Sequence, residues 1–404
     1  MAKIVQIKAS RILDSRGEST VEVELILDTG EKGVSSVPAG ASRGASEAFV
    51  QTNIEKAVQN IETIIAPQLN GMEAKEQAEI DQRMLELDAS PNKENLGGNS
   101  ILAVSLSNAR AAAAALKIPL YKHLARLFNP KASLLSLPTP CFNIINGGQH
   151  ADNNLSFQEF MILMPAKTSF AAKLSSGIKI FQALKENLKT LGFNINVGDE
   201  GGFGSNLDTN EAALDVTLSA IEKAGFVPRE EVTLGIDVAA SSIPNLAVVT
   251  APLPPLQYYE KLFQNYPLEF LEDPFNENDF ENWQKITQTM GGQIRIFGDD
   301  LFTTNINRLK HGIEKKQANA IVIKPNQIGT LTETYEAVRL AKQNNFSIMV
   351  SHRSGETEDT FIADLAVAIG ADFIKAGAPN RGERIAKYNQ LLRIERELSG
   401  NFRD

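Results

Sequence analysis

The stretch 294-IRIFGDDLFTTNINRLKHGIEKKQANAIVIKP-325 decides the fold. It opens on a short apolar run that ends in Asp299 and Asp300, and after a polar segment it closes on a second run, AIVI, ending in Lys324. An apolar run, a polar ending and a return 25 residues later match the length of one strand-loop-helix-loop unit. The same beat continues on both sides. The runs 232-VTLGID-237, 268-LEFLED-273, 347-SIMVSH-352 and 372-DFIKAG-377 carry Asp237, Glu272, His352 (followed by Arg353) and Lys375 at or near their ends. From Asp237 to Glu272, Asp299, Lys324, His352 and Lys375 the steps are 35, 27, 25, 28 and 23 residues. A βα barrel places the C-terminal ends of its strands on one face, and that face carries the active site. The spacing therefore predicts three carboxylates, two lysines and a histidine-arginine pair at one mouth. Three acids there suit a hard divalent cation, and two lysines suit an anionic substrate.

Working toward the N-terminus, two more apolar runs, 141-CFNII-145 and 159-EFMILM-164, precede helical stretches at about 168–191 and 208–224. The second helix opens on a capping-box pattern, Asp208-x-x-Glu211, and closes at Gly225. Between these helices lies 198-GDEGGFGSN-206, too rich in glycine for a helix or a central strand. Two strands plus six give eight, the closure number of a small barrel. Residues 1–128 read differently: strands near 3–13, 20–27 and 31–38, then helices at roughly 46–65 (stopped at Pro67), 73–88 and 99–117 (stopped by Pro119). Strands first and helices after them make an α+β domain. The Pro-marked connection 129-NPKASLLSLPTP-140 opens the second part, 129–404.

Bulk composition narrows the function classes. The 404 residues are 43% hydrophobic and 22% charged, with a formal net charge of −9. An acidic chain without a Lys/Arg block argues against a nucleic-acid footprint. The single cysteine, Cys141, rules out an internal disulfide and fits a reducing cytoplasm. The N-terminal residues lack the apolar core of a signal peptide, and no apolar run approaches the roughly 20 residues of a membrane span. His123 and His311 carry no motif and read as surface or structural residues.

Eleven strings carry a resemblance: 14-DSRGESTVEVE-24, 37-VPAGASRGASEA-48, 143-NIINGGQHADN-153, 157-FQEFMI-162, 198-GDEGG-202, 235-GIDVAAS-241, 271-LEDPF-275, 298-GDDLFTTN-305, 323-IKPNQIGT-330, 351-SHRSGETEDTFIADL-365 and 375-KAGAPNRGERIAKYNQLLRIE-395. In this order they resemble the enolase family from end to end. The resemblance implies an α/β barrel of atypical ββαα(βα)6 order under an N-terminal α+β capping domain. It also implies a Mg²⁺-dependent lyase of glycolysis and gluconeogenesis that reversibly dehydrates 2-phosphoglycerate to phosphoenolpyruvate. A cytoplasmic homo-oligomer, a dimer or a ring of dimers, is the expected form.

Residue by residue, the resemblance assigns roles. Asp237, Glu272 and Asp299 match the ligands of a first Mg²⁺, an ion that prefers hard oxygen donors. Lys324 matches the proton-abstracting base, whose pKa must fall toward working pH under nearby positive charge. Glu200 matches the acid that protonates the leaving hydroxide, with Glu159 as its supporting partner; two acids in one site push one pKa up and keep a proton available. Arg353 and Ser354 match the phosphate grip, for which a planar guanidinium is suited. Lys375 matches the substrate-carboxylate contact, and Gln158, His150 and His352 match other substrate-pocket positions.

The segment 37-VPAGASRG-44 resembles the family's mobile lid but departs from it. Ala39 stands where a serine normally offers a side-chain oxygen to a second Mg²⁺, leaving only its backbone carbonyl. Arg43 replaces a threonine and adds a cation. The expectation is an intact first metal site and a weaker second one. Two alternatives follow. One is a dehydratase or racemase for unphosphorylated acids on the same fold, which need not carry GDEGG or HRSGETEDT. The other is a catalytically weakened relative kept as a surface or RNA-processing binding protein, for which Ala39 is the only support.

Overall fold

The computed structural model describes residues 2–41, 44, 46–130, 135–164 and 169–400. Strands β1 (Ile4–Leu13), β2 (Ser19–Leu27) and β3 (Lys32–Ser36) form an antiparallel sheet in that order. Alternation along β2 puts Val21, Val23, Leu25 and Leu27 on the buried face. Against that face lies the alanine-rich helix Gly98–Ala115, whose small side chains let it approach the sheet closely. Ser107 Oγ donates to the Val23 carbonyl at 2.9 Å across this contact, and a Cβ at Gly33 would run into the helix backbone.

Two helix boundaries differ from the sequence reading. The first helix begins at Ile54, not near 46, and runs past Pro67 to Leu69 through a π-type stretch at Ile61–Ile65. A proline stops a helix by lacking an N–H and crowding the preceding turn. Here Pro67 sits just after the wider turn and opens the last helical segment. Pro119 likewise starts a helix, Leu120–Phe128, which the sequence reading omitted. His123, on this helix, is buried and not at the surface, and burial pushes its pKa down to about 4.

The remaining strands are β4 (Thr139–Asn146), β5 (Glu159–Leu163), β6 (Thr233–Asp237), β7 (Leu268–Glu272), β8 (Arg295–Gly298), β9 (Ala320–Ile323), β10 (Ser347–Ser351) and β11 (Phe373–Lys375). They close into one barrel in the order β10-β11-β4-β5-β6-β7-β8-β9. All neighbours are parallel except those of β5, which runs antiparallel to both β4 and β6. The reversal matters for the site: β5 presents its first residue, Glu159, where its neighbours present their last. Glu159 pairs in register with Asp237, and Asp237 with Glu272. Helices Phe170–Thr190 and Asn210–Lys223 fill the excursion between β5 and β6. Thr209, not Asp208, caps the second of these, accepting from the Ala212 N–H.

The barrel interior holds a separate apolar cluster that includes Cys141, Met161, Phe270, Phe297, Val322, Met349 and Phe373. Gly235 lies on β6 beside it, and a Cβ there would enter the Phe270 ring. Gly235→Ala is expected to destabilise the fold by about 1–3 kcal/mol through overpacking. Urea unfolding monitored by circular dichroism measures this; an unchanged midpoint would contradict the packing described. Among the described residues, no single helix is long and apolar enough to cross a membrane.

Candidate active site

A cavity at the C-terminal end of the barrel is lined by His150, Gln158, Glu159, Glu200, Asp237, Asp299, Lys324, His352, Arg353, Ser354 and Lys375. Gly40 and Glu47 reach it from the N-terminal part of the chain. Two residues expected there are absent from its walls. Glu272 is fully buried beneath Lys375, whose Nζ stands 2.7 and 2.8 Å from its two oxygens. Ala39 forms a two-bond antiparallel bridge with Gly355, its carbonyl accepting the Gly355 N–H at 2.9 Å. The carbonyl expected to serve a second ion is thus already bonded, and Gly40 is the wall residue. Arg43 lies outside the described residues.

Lys375 is the hub of one wall. Its ammonium contacts Glu159 and Asp237 at 3.3 Å each, besides Glu272. Burial alone would lower its pKa, but Glu159 and then Glu272 outweigh that and hold it charged. Lys324 is ion-paired to Asp299. Burial, Arg353 and Lys375 all work to lower the Lys324 pKa, yet the Asp299 carboxylate overrides them and raises it. The sequence reading expected depression toward working pH. The close carboxylate, unseen in the sequence, reverses the sign in the ligand-free protein.

The expected metal triad is likewise rearranged. Among the described residues, the carboxylate and imidazole groups that converge on a point are His150–Glu159–Glu200 and Asp273–Asp299–Asp300, not Asp237–Glu272–Asp299. The reason is electrostatic: Lys375 draws Asp237 and Glu272 to itself, while Lys324 and Gln327 hold Asp299. The donor set still fits a hard divalent cation. All three residues offer carboxylate oxygens from adjacent strand ends, and all three are buried. Burial and then Asp237 push Glu272 up to about 8, even with Lys375 in contact.

The second wall holds the acid pair. Glu200 accepts from Asn143 at 2.8 Å and lies 3.5 Å from His150 Nδ1 and 3.3 Å from His352 Nε2. Gly201, at φ 87°, makes the turn that carries it, and a Cβ there would strike Asn380. Arg384 donates to His352 Nδ1 at 2.7 Å. Arginine is only a donor, so His352 carries its proton on Nε2, facing Glu200. Burial drives the His352 pKa down to about 3, so the ring is neutral. Burial, and then Glu200, push Glu159 well above the usual carboxylate range. Burial opposes ionisation of Glu200 as well, but His150 and His352 outweigh it and hold Glu200 low. These opposite shifts favour the proton on Glu159 in the free protein, whereas the sequence reading made Glu200 the proton donor and Glu159 its supporting acid.

Several further residues shape the site, and apart from Asp273 the sequence reading gave them no role. Asp273 accepts the backbone N–H groups of Asp299 and Asp300 at 2.9 and 2.8 Å and fixes the end of β8. Thr303 and Thr304 both have positive φ, 47° and 55°, an uncommon backbone state for β-branched residues. That turn lets Thr304 Oγ1 accept the Lys324 N–H and donate to Gln327. Glu47 pairs with Arg353. The only sequence signal for these was their place inside the matched strings.

Around the barrel, β5 and β9 stand four strands apart in a ring of eight. Glu159 at the start of β5 and Lys324 at the end of β9 thus face each other across the mouth. An acid pair opposite a lysine, above buried carboxylates, suits removal of a proton from one face of a substrate and protonation of a leaving group on the other. Family models agree with this layout: "Enolase, N-terminal domain" matches residues 4–124, and "Enolase, C-terminal TIM barrel domain" matches 134–247 and 249–403. The chain belongs to the enolase family and is a lyase of the enolase superfamily.

Proposed function

We propose that this chain is a Mg²⁺-dependent phosphopyruvate hydratase, interconverting 2-phospho-D-glycerate with phosphoenolpyruvate and water. The observation that carries this reading is the opposition of Lys324 to the Glu159–Glu200 pair across one cavity that also holds Arg353 and Lys375. Arg353 and Ser354 grip the phosphoryl group, and Lys375 contacts the substrate carboxylate. Lys324 takes the proton alpha to that carboxylate. Glu200 gives a proton to the departing hydroxide. In the free protein the proton is favoured on Glu159 and must reach Glu200 before the hydroxide leaves; His150 Nδ1 lies 3.8 Å from Glu159 and 3.5 Å from Glu200, not hydrogen-bonded to either. Asp237, Glu272 and Asp299 would hold the Mg²⁺, which would supply Lewis-acid stabilisation of charge developing on the substrate carboxylate. The reading carries with it a cytoplasmic location and a homo-oligomeric assembly.

Substrate preference tests the reading against other lyases of the superfamily. The protein is expected to dehydrate 2-phosphoglycerate and to leave unphosphorylated sugar acids untouched, measured by absorbance of the enol product. Turnover of the unphosphorylated acids alone would refute it. The Mg²⁺ dependence of the rate is expected to include a weak phase, and Ala39→Ser to tighten it about tenfold, or 1.4 kcal/mol. Equal, tight dependence in both proteins would show that Ala39 has no bearing on the second ion.

A further inference from the structure

Arg353, which we read as the phosphoryl grip, already holds an anion. Its two terminal nitrogens donate to the two oxygens of Glu47, each at 3.0 Å. This is a planar, two-pronged arrangement of the kind a guanidinium makes with carboxylate or phosphate. The contact is not a surface pairing, for the two side chains are 5% and 4% exposed. Glu47 is itself anchored, Oε1 accepting from the Gly44 N–H at 3.1 Å and from Gln327 at 3.4 Å. The neighbouring Ser354 Oγ accepts the Ala41 N–H at 2.7 Å. Both side chains of the phosphoryl subsite are therefore engaged by residues of the N-terminal segment that borders the cavity.

We propose that Glu47 is an internal ligand of the anion subsite: its carboxylate fills the Arg353 fork in the free protein, and the substrate's phosphoryl group must displace it. The proposal rests on the reading of Arg353 as the phosphoryl grip. Displacement follows from charge. A phosphate that took the same two nitrogens would meet the Glu47 oxygens at contact distance, and Asp299 and Asp300 border the same cavity. Two like charges so placed in a buried site do not coexist. Release of Glu47 then sets a threshold that only a strongly charged, two-pronged anion passes, which selects phosphorylated acids over unphosphorylated ones.

Calorimetric titration of inorganic phosphate into the full-length protein tests this without reference to turnover. Glu47→Gln is expected to bind phosphate about tenfold more tightly than the parent, because the competing carboxylate is gone. Arg353→Ala is expected to lose binding by at least about tenfold. Equal or weaker binding by Glu47→Gln, with Arg353→Ala still impaired, would overturn the proposal and make Glu47 a support that holds Arg353 in place. Unimpaired binding by Arg353→Ala would instead overturn the reading of Arg353. Should Glu47→Gln fail to fold, Glu47→Asp serves. Its shortened side chain cannot span the fork and should give a smaller gain, and no gain would count against the proposal.

Discussion

Lys324→Ala should lower the dehydration rate about 10²- to 10⁴-fold, the usual contribution of a positioned general base. It should also abolish exchange of the substrate's alpha proton with solvent. Lys324 follows β9, and its main chain is held by Thr304, so the deletion removes the ammonium and leaves the strand end in place. Its partner Asp299 keeps the bond from Gln327 at 2.9 Å. In the free protein Asp299 keeps Lys324 protonated, while burial, Arg353 and Lys375 pull the other way. Any competing claim on the Asp299 carboxylate therefore moves Lys324 toward the neutral base. Glu200→Gln makes the informative contrast. On the proposed roles it removes the proton donor but not the base, so dehydration should fall while alpha-proton exchange persists. Exchange persisting in Lys324→Ala would assign proton abstraction to another residue.

Lys375→Met should cost the metal-free protein about 3–5 kcal/mol, because it removes the cation that three buried carboxylates share. Glu159, Asp237 and Glu272 would then each lose the ammonium they contact. The loss has a definite pH dependence. Glu272 has a folded pKa of about 8, raised by burial and then by Asp237, from an ordinary value of 4.5. A raised carboxylate pKa means that stability is fully present below the unfolded value and is lost as pH rises through the folded one. Lys375 currently limits that rise, so its removal deepens the loss on the alkaline side. Urea unfolding should show a larger deficit at pH 9 than at pH 6, and added Mg²⁺ should narrow it by binding the folded form. A variant as stable as the parent at pH 9 without metal would contradict the charge balance described here.

Much of the barrel was legible because it repeats. Each apolar run had to be a strand, and each polar ending had to fall on one face, so the wall residues Asp237, Asp299, Lys324 and Lys375 followed from spacing. The reversal of β5 was not legible, because an apolar run such as 159-EFMILM-164 is the same read in either direction. Glu200 sits in a glycine loop outside the beat, and only the resemblance drew attention to it. Charge pairing was least legible. Lys324 on Asp299 and Lys375 on Glu272 set the free-state pKa values, yet 25 and 103 residues separate the partners. Glu47 and Arg353 lie 306 residues apart. Pro67 misled because a proline excludes itself from a helix interior but not from a first turn; the helix before Pro119 did end short of it, at Ala115. The lid departure at Ala39 was plain in the sequence. Its carbonyl's bond to Gly355 was not.

The most direct measurement is formation of phosphoenolpyruvate from 2-phosphoglycerate, followed by ultraviolet absorbance with the folded, metal-stripped protein before and after Mg²⁺ addition. The expected result is no product without metal and steady turnover once Mg²⁺ is present, lost again with chelator. Folded protein that forms no phosphoenolpyruvate in excess Mg²⁺, or forms it equally well without any divalent ion, would contradict the proposed activity.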